Sequence, residues 1–307
     1  VQIPVLHKKG FRLKLPKTLN HPGAEAIRRL MLPRILSSCI YQVNNFVDSI
    51  FGSLFWIVGE GGVAILYFSY RLIQFPLGIF SNAISQAILP TFSRQAIAED
   101  LSGLKQTLSF GLRAVFFVML PSGVFLMVLA GPLVNYLFFG GKFDTYSAGL
   151  TSEALFFYGI GLSAYGANKV LQSYFFSMKD TLTPAKVSAL SLALNIVLNI
   201  ALIFPLKIAG IALATSISGV ITFCVLFLLA IRKIGDFGIK EIRLSFLRIL
   251  ASSLGMGVVC YFSCGIIANK FLSLAFILIS AFFSYIFFCY IFRVKELRQV
   301  WGLLTRK

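Results

Sequence analysis

Residues Val63–Leu89 read VAILYFSYRLIQFPLGIFSNAISQAIL, a stretch of 27 residues with no acidic side chain and one cation, Arg71. A helix crosses the hydrocarbon of a bilayer in ~20 apolar residues, so this stretch is long enough to span. Inside hydrocarbon the backbone can bond only to itself, which makes the span helical. Arginine keeps its charge there, at a cost of at least ~2.5–3.5 kcal/mol on insertion scales. Such a group persists where it meets a watery cavity, an acidic partner or an anionic ligand. Which of these Arg71 meets is the functional question.

Seven further blocks on either side qualify as spans: about 32–57, 107–130, 152–176, 185–204, 208–231, 247–268 and 271–292. The expected fold class is therefore all-α, a polytopic membrane helical bundle of about eight transmembrane helices. Composition agrees. The 307-residue chain is 58% hydrophobic, with 13% charged residues and a mean hydropathy of +0.86, whereas soluble domains carry ~25% charged residues. The net charge of +17 does not indicate nucleic acid, because the cations sort by loop. Of 28 Lys and Arg, 23 fall in residues 1–34, 90–113, 177–186, 232–248 and 293–307, while the alternate loops hold only Lys142, Lys207 and Lys270. That bias places the first set, and both ends of the chain, in the cytoplasm.

Three parts are expected. Residues 1–31 form a cytoplasmic amphipathic connector, in which Lys8–Arg29 interleaves cations with Phe11, Leu13 and Leu15. It can lie on anionic headgroups or be a solvated link, and both readings stand. Residues 32–231 form a six-helix lobe. Residues 232–307 hold a cytoplasmic linker, Arg232–Arg248, then two additional helices and a basic tail. The opening Val1–Leu6 reads as the tail of an earlier apolar segment, so a longer protein is expected. The five cysteines, Cys39, Cys224, Cys260, Cys264 and Cys289, all fall in apolar blocks and read as small buried side chains rather than a disulfide framework. His7 and His21 lie outside the spans and form no Cys/His cluster for a transition metal.

Polar residues inside the spans carry the rest. Asp48 is the one acidic residue deep in a span, with Asn44 a turn before it and Asn45 and Gln42 on the same helix. Ser191, Asn195 and Asn199 follow at spacings of four, one stripe of a helix, and the next span has Thr215, Ser216 and Ser218. Their oxygens are hard ligands, so Asp48, Asn195, Asn199 and Thr215 suit sodium. Interhelical hydrogen bonding is the equal alternative. Lys169 sits about seven residues from the inner end of its span, within snorkelling reach, and Arg71 about eight from the outer end, roughly 12 Å. If both line one cavity, they hand an anion from the inner half to the outer half, with Gln74 extending the polar face below Arg71. Pro76 and Gly78 are expected to bend that helix.

These residues also carry a resemblance. The run Tyr70-Arg71-Leu72-Ile73-Gln74-Phe75-Pro76-Leu77-Gly78, continued by Ala87-Ile88-Leu89-Pro90, resembles the second half of the MurJ (MviN) lipid II flippase family of the MOP superfamily. So do Gly131-Pro132-Leu133, Phe139-Gly140-Gly141-Lys142-Phe143, Lys169-Val170-Leu171, Phe175-Phe176-Ser177, Asp180-Thr181-Leu182-Thr183-Pro184 and Pro205-Leu206-Lys207-Ile208-Ala209-Gly210. The motifs occur in family order to the C-terminus. The resemblance implies two six-helix lobes facing a central cavity, then two extra helices whose groove holds a polyprenyl tail. This chain corresponds to the second lobe and the extra pair, and the missing N-terminal lobe of the same protein is an implied partner. Arg71 and Lys169 fall on the family's cavity arginine and lysine. Tyr70 stands where some members carry an acidic residue, so a local ion pair is lost. Sodium binding in part of the family implies the Asp48, Asn195, Asn199 and Thr215 set, with Asn199 an amide where a second carboxylate would serve better.

The implied activity is translocation of lipid II, the undecaprenyl-diphosphate-linked peptidoglycan precursor, across the bacterial cytoplasmic membrane, with Arg71, Lys169 and Gln74 on the substrate. Implied partners are lipid II and membrane lipids, with no nucleic acid. A sodium or proton coupling step is the one cofactor-like expectation. Rival readings are a related lipid-linked oligosaccharide flippase, a cation-coupled drug antiporter, or a non-transporting scaffold for wall synthesis. An enzyme acting on polyprenyl diphosphates would need clustered carboxylates or a His/Asp/Ser set inside the spans, which the sequence does not offer.

Overall fold

The computed structural model describes residues 10, 22–141, 143–264 and 269–298. Lys142, His7, His21, most of the basic connector and the last nine residues of the tail lie outside the described residues. Ten helices run in order: α1 (Pro22–Gly52), α2 (Phe55–Val58), α3 (Gly62–Pro76), α4 (Asn82–Ile97), α5 (Leu101–Val128), α6 (Ala130–Phe138), α7 (Thr145–Ser177), α8 (Leu182–Ile234), α9 (Ile239–Ser263) and α10 (Lys270–Ile291). A π-helical turn, Leu77–Ser81, joins α3 to α4 in one continuous rod. The protein is an all-α, multi-pass membrane bundle. Five stretches are long and apolar enough to cross a bilayer: Gly62–Ile97, Leu101–Val128, Leu182–Ile234, Ile239–Ser263 and Leu272–Ile291.

The third of these holds two of the expected spans. Lys207 leaves helical geometry at φ 52° and ψ −126°, two residues after Pro205, and α8 doubles back there into two arms. The 31-residue α1 and 33-residue α7 are ~45–50 Å long at 1.5 Å per residue, but their composition is more polar because they face protein and cavity rather than lipid alone.

Helix α7 is the hub, packing against α3, the π turn, α4, α5, α6 and both arms of α8. Its small residues allow this. A Cβ on Gly161 would stand 2.9 Å from the Ser216 Cα, and one on Gly123 of α5 would stand 2.9 Å from the Gly159 carbonyl oxygen. In a bilayer, lipid tails compete equally well for apolar surface, so close backbone approach and van der Waals packing drive association. Tyr174 on α7 is fully buried and meets Phe92 of α4 edge-on at 6.0 Å.

Helices α9 and α10 pack against each other, α9 against α5 and α10 against α6. The expected linker Arg232–Arg248 is mostly helix: α8 runs to Ile234 and α9 begins at Ile239. Ile234, Phe237 and Ile242 are buried there, so apolar anchoring continues beneath the basic side chains that marked the segment as a loop. Glu296 fastens the pair to the lobe, accepting from Arg113 at 3.3 Å and Ser245 at 2.9 Å. The cysteines are free thiols, but Cys39 and Cys224 are exposed. This corrects the expectation of uniform burial, since a thiol is apolar enough to sit on a lipid-facing surface.

Asp180, in the turn between α7 and α8, accepts from Lys233 at 2.8 Å and from the Thr183 N–H at 3.1 Å. Partial burial pushes its carboxyl up, but the Lys233 and Thr183 bonds outweigh it and hold the group below its ordinary value. A depressed carboxyl contributes stability above its unfolded pKa and loses it as pH falls through the folded value. An NMR titration of the Asp180 carboxyl should give a midpoint below 3.8, rising toward it in Lys233→Ala. Packing gives a second expectation. Gly161→Val should lower thermal stability by about 1–3 kcal/mol through overpacking against backbone. Gly131→Ala, which meets open space, should change it little.

Candidate functional site

Two polar centres and one apolar groove meet around α3 and α7. The first centre is buried. Asp48 of α1 accepts from the Asn199 amide at 2.8 Å on one oxygen and from the Thr215 hydroxyl at 2.9 Å on the other. Asn199 also donates to Asn195 Oδ1 at 2.9 Å, and Asn195 donates to Thr215 Oγ1 at 3.1 Å. The hairpin at Lys207 makes this contact: it folds the arm carrying Asn195 and Asn199 against the arm carrying Thr215, with α1 packed on both. All four residues expected together are together.

Their chemistry fits a small monovalent cation. Both Asp48 oxygens and the Thr215 hydroxyl keep spare lone pairs, and Asn199 Oδ1 is buried without a partner. Fully buried Asn195 and Asn199 give neutral oxygens beside one carboxylate, a net charge of −1 that a monovalent ion balances. Among the described residues there is no group of three or more His, Cys, Asp or Glu, the donor set a divalent or transition metal would want.

The second centre is an inner cavity of about 180 Å³ enclosed by α1, α3, α7 and both arms of α8. Lys169 lines it, with Asn44, Gln172, Ser188 and Ser191. The ammonium donates to Asn82 Oδ1 at 2.5 Å. The π turn supplies that partner. Pro76 has no N–H to bond one turn back, and the widened turn that follows brings consecutive residues onto α7. Ser81 then donates to the Gly166 carbonyl at 3.1 Å, and Asn82 reaches Lys169 three residues further on. The bend expected at Pro76 and Gly78 is thus a change of register.

The groove is apolar, about 570 Å³, and runs between α3, α5, α6, α9 and α10. Phe75, Leu126, Leu278 and Phe282 are among its walls, and Arg71 is its one charged lining residue. The guanidinium carbon lies 5.6 Å from the centre of the Tyr67 ring, within cation–π range.

Arg71 and Lys169 therefore line different compartments, which corrects the single-cavity expectation. The reason is helical geometry: neighbouring residues point ~100° apart. Tyr70 and Leu77 face the inner cavity, so Arg71, Leu72, Phe75 and Pro76 turn to the groove. Helix α3 is the wall between them. Gln74 does not continue the Arg71 face either. It donates to the Tyr41 hydroxyl at 3.0 Å, and Tyr41 bonds the Tyr70 hydroxyl, closing the α1–α3 seam.

Sequence reasoning missed Asn82, Tyr41, Tyr70, Tyr165, Asn168 and Gln172. A signal existed for part of this set. Tyr165, Asn168, Lys169 and Gln172 recur at helical spacing within an apolar block, one polar stripe. Nothing local marks Asn82, because its partner lies 87 residues away.

Removing the buried acceptor should be costly. Asp48→Ala strands the Asn199 amide and the Thr215 hydroxyl, and should lower stability by about 1–3 kcal/mol in thermal unfolding of the detergent-purified protein. Exposed Glu153→Gln should stay within ~0.5 kcal/mol.

Comparison with known proteins places this architecture. The family model described as "Lipid II flippase MurJ" matches residues 1–282. A probable lipid II flippase MurJ from Vibrio cholerae is 34% identical over 226 residues, covering 74% of this chain and 42% of that protein. A solved structure described as lipid II flippase MurJ in an inward closed conformation superposes with a TM-score of 0.73 at 26% identity, covering 95% of this chain and 59% of that one. An outward-facing multidrug resistance MATE transporter of the MOP superfamily shares the fold, with a TM-score of 0.58 at 19% identity over 94% of this chain and 70% of its own. The chain spans about half the length of the curated relatives it matches. With its two-armed α8, its α9–α10 groove and its ordered motifs, the chain belongs to the MurJ lipid II flippase family.

Proposed function

We propose that this chain forms the second lobe and the accessory helix pair of a flippase that carries lipid II across the bacterial cytoplasmic membrane toward the outer leaflet. The observation that carries the reading is Arg71 as the sole charge on an apolar groove. That pairing matches an amphiphile whose anionic group adjoins a long hydrocarbon chain, as the diphosphate of a polyprenyl glycolipid does. Guanidinium suits a diphosphate because its fork bonds two oxygens at once. The prenyl chain lies along Phe75, Leu126 and Leu278, and the sugar–peptide head passes between this lobe and its N-terminal counterpart. The family description and the names of the curated relatives support the same substrate.

Both chain ends face the cytoplasm on this reading, as the loop cations indicate. An interior-negative potential then assists outward movement of the anion by ~2.3 kcal/mol per charge per 100 mV. Asp48, Asn195, Asn199 and Thr215 hold a sodium ion, which when bound supplies a cation-coupled step. Rocking of two lobes about a fixed site is the general transporter mechanism this architecture allows.

In the full-length protein in proteoliposomes, Arg71→Ala should lower lipid II translocation at least ~100-fold, the loss of about 2.7 kcal/mol of charge-assisted bonding, while leaving insertion intact. Arg71→Lys should retain part of it. Translocation by Arg71→Ala at the wild-type rate would refute the assignment.

A further inference from the structure

Resting on that reading and deepening it, we infer that the inner cavity is a phosphate-anion site whose occupancy is linked to the cation quartet, with Lys169 as the anion's ligand. Three observations meet here. Among the described residues lining the cavity none is acidic, and amides and hydroxyls from Asn44, Gln172 and Ser191 accompany the lysine. Those groups can all donate to oxyanions. Lys169 has a neutral partner, Asn82, and among the described residues no carboxylate lies within ion-pair distance of it. A full positive charge is therefore held over a cavity far larger than the ~10–15 Å³ that one water needs.

The third observation joins the centres. Thr215 lines the cavity and its hydroxyl donates to Asp48 Oδ2 at 2.9 Å. The carboxylate thus lies one residue behind the cavity wall. With both sites empty, Lys169 and Asp48 balance. A cation on Asp48 alone leaves the region with an excess of +1, and an anion on Lys169 alone leaves it negative. In a low-dielectric setting either imbalance is unfavourable, so each ligand raises the affinity of the other. By linkage the two factors are equal. A diphosphate that leaves the Arg71 compartment, or a free phosphate, would therefore load the cation, and the α1–α3 seam of Tyr41, Tyr70 and Gln74 lies between the two compartments.

The test uses the full-length protein in nanodiscs and reads sodium affinity by a radiolabelled-sodium proximity assay, without and with inorganic pyrophosphate, and separately with a polyprenyl diphosphate. Wild type should gain at least ~5-fold in sodium affinity, the lower end of measured couplings. Pyrophosphate affinity should gain the same factor from sodium. A gain from both anions supports a site open to free phosphate, and a gain from the polyprenyl diphosphate alone supports one loaded by the lipid. Lys169→Gln should bind sodium without any gain, and Lys169→Arg should keep it, which separates lost linkage from misfolding. Absence of sodium binding, an affinity indifferent to both anions, or a full gain in Lys169→Gln overturns the inference. Arg71-dependent translocation surviving any of those results would leave the flippase reading standing while this one falls.

Discussion

Hydrocarbon offers a charged side chain neither water nor counterion, so every intramembrane charge must terminate on protein, cavity or ligand. The arrangement of this lobe follows from how three charges meet that demand. Asp48 ends on donors from the two arms of α8. Lys169 ends on Asn82 and an inner cavity. Arg71 ends on an aromatic ring and the edge of a groove. The first two endings are supplied by backbone irregularities, the break at Lys207 and the π turn after Pro76, at positions where an uninterrupted helix would carry the partner past its target. Irregular backbone is tolerated in a membrane where it is buried in protein or lines a cavity, and both irregularities have such surroundings.

Helix α3 organises the space between these endings. One face, Tyr70 and Leu77, belongs to the polar cavity, and the next, Arg71 to Pro76, belongs to the groove. A diphosphate lipid is itself divided in this way, with an oily chain and a charged junction. On the proposed reading, the wall sorts the two parts of one substrate, and the cation quartet behind Thr215 senses which compartment holds the charge.

Much of this was legible in the sequence. The long apolar blocks gave the helical class, and the spacing of Asn195 and Asn199, with Asp48 alone in its span, gave the quartet. What failed was geometry that periodicity does not encode. A stripe of residues says which side chains share a face, but it does not say what that face meets. Arg71 and Lys169 looked like neighbours because both are intramembrane cations, whereas a turn of ~100° between Tyr70 and Arg71 puts them in separate compartments. Gln74 looked like an extension of Arg71 and instead closes a seam with Tyr41. Asn82 carried no local signal at all, because a π turn shifts register in a way that a 3.6-residue repeat does not anticipate.

The central claim is that Arg71 meets the charged junction of a polyprenyl lipid whose chain occupies the α9–α10 groove. A structure of the full-length protein bound to lipid II tests it most directly. The account predicts a phosphate oxygen within hydrogen-bond reach, about 3 Å, of the Arg71 guanidinium, with prenyl density beside Phe75 and Leu278. A diphosphate bound beyond about 6 Å from Arg71, with the groove filled by ordinary membrane lipid, would contradict it.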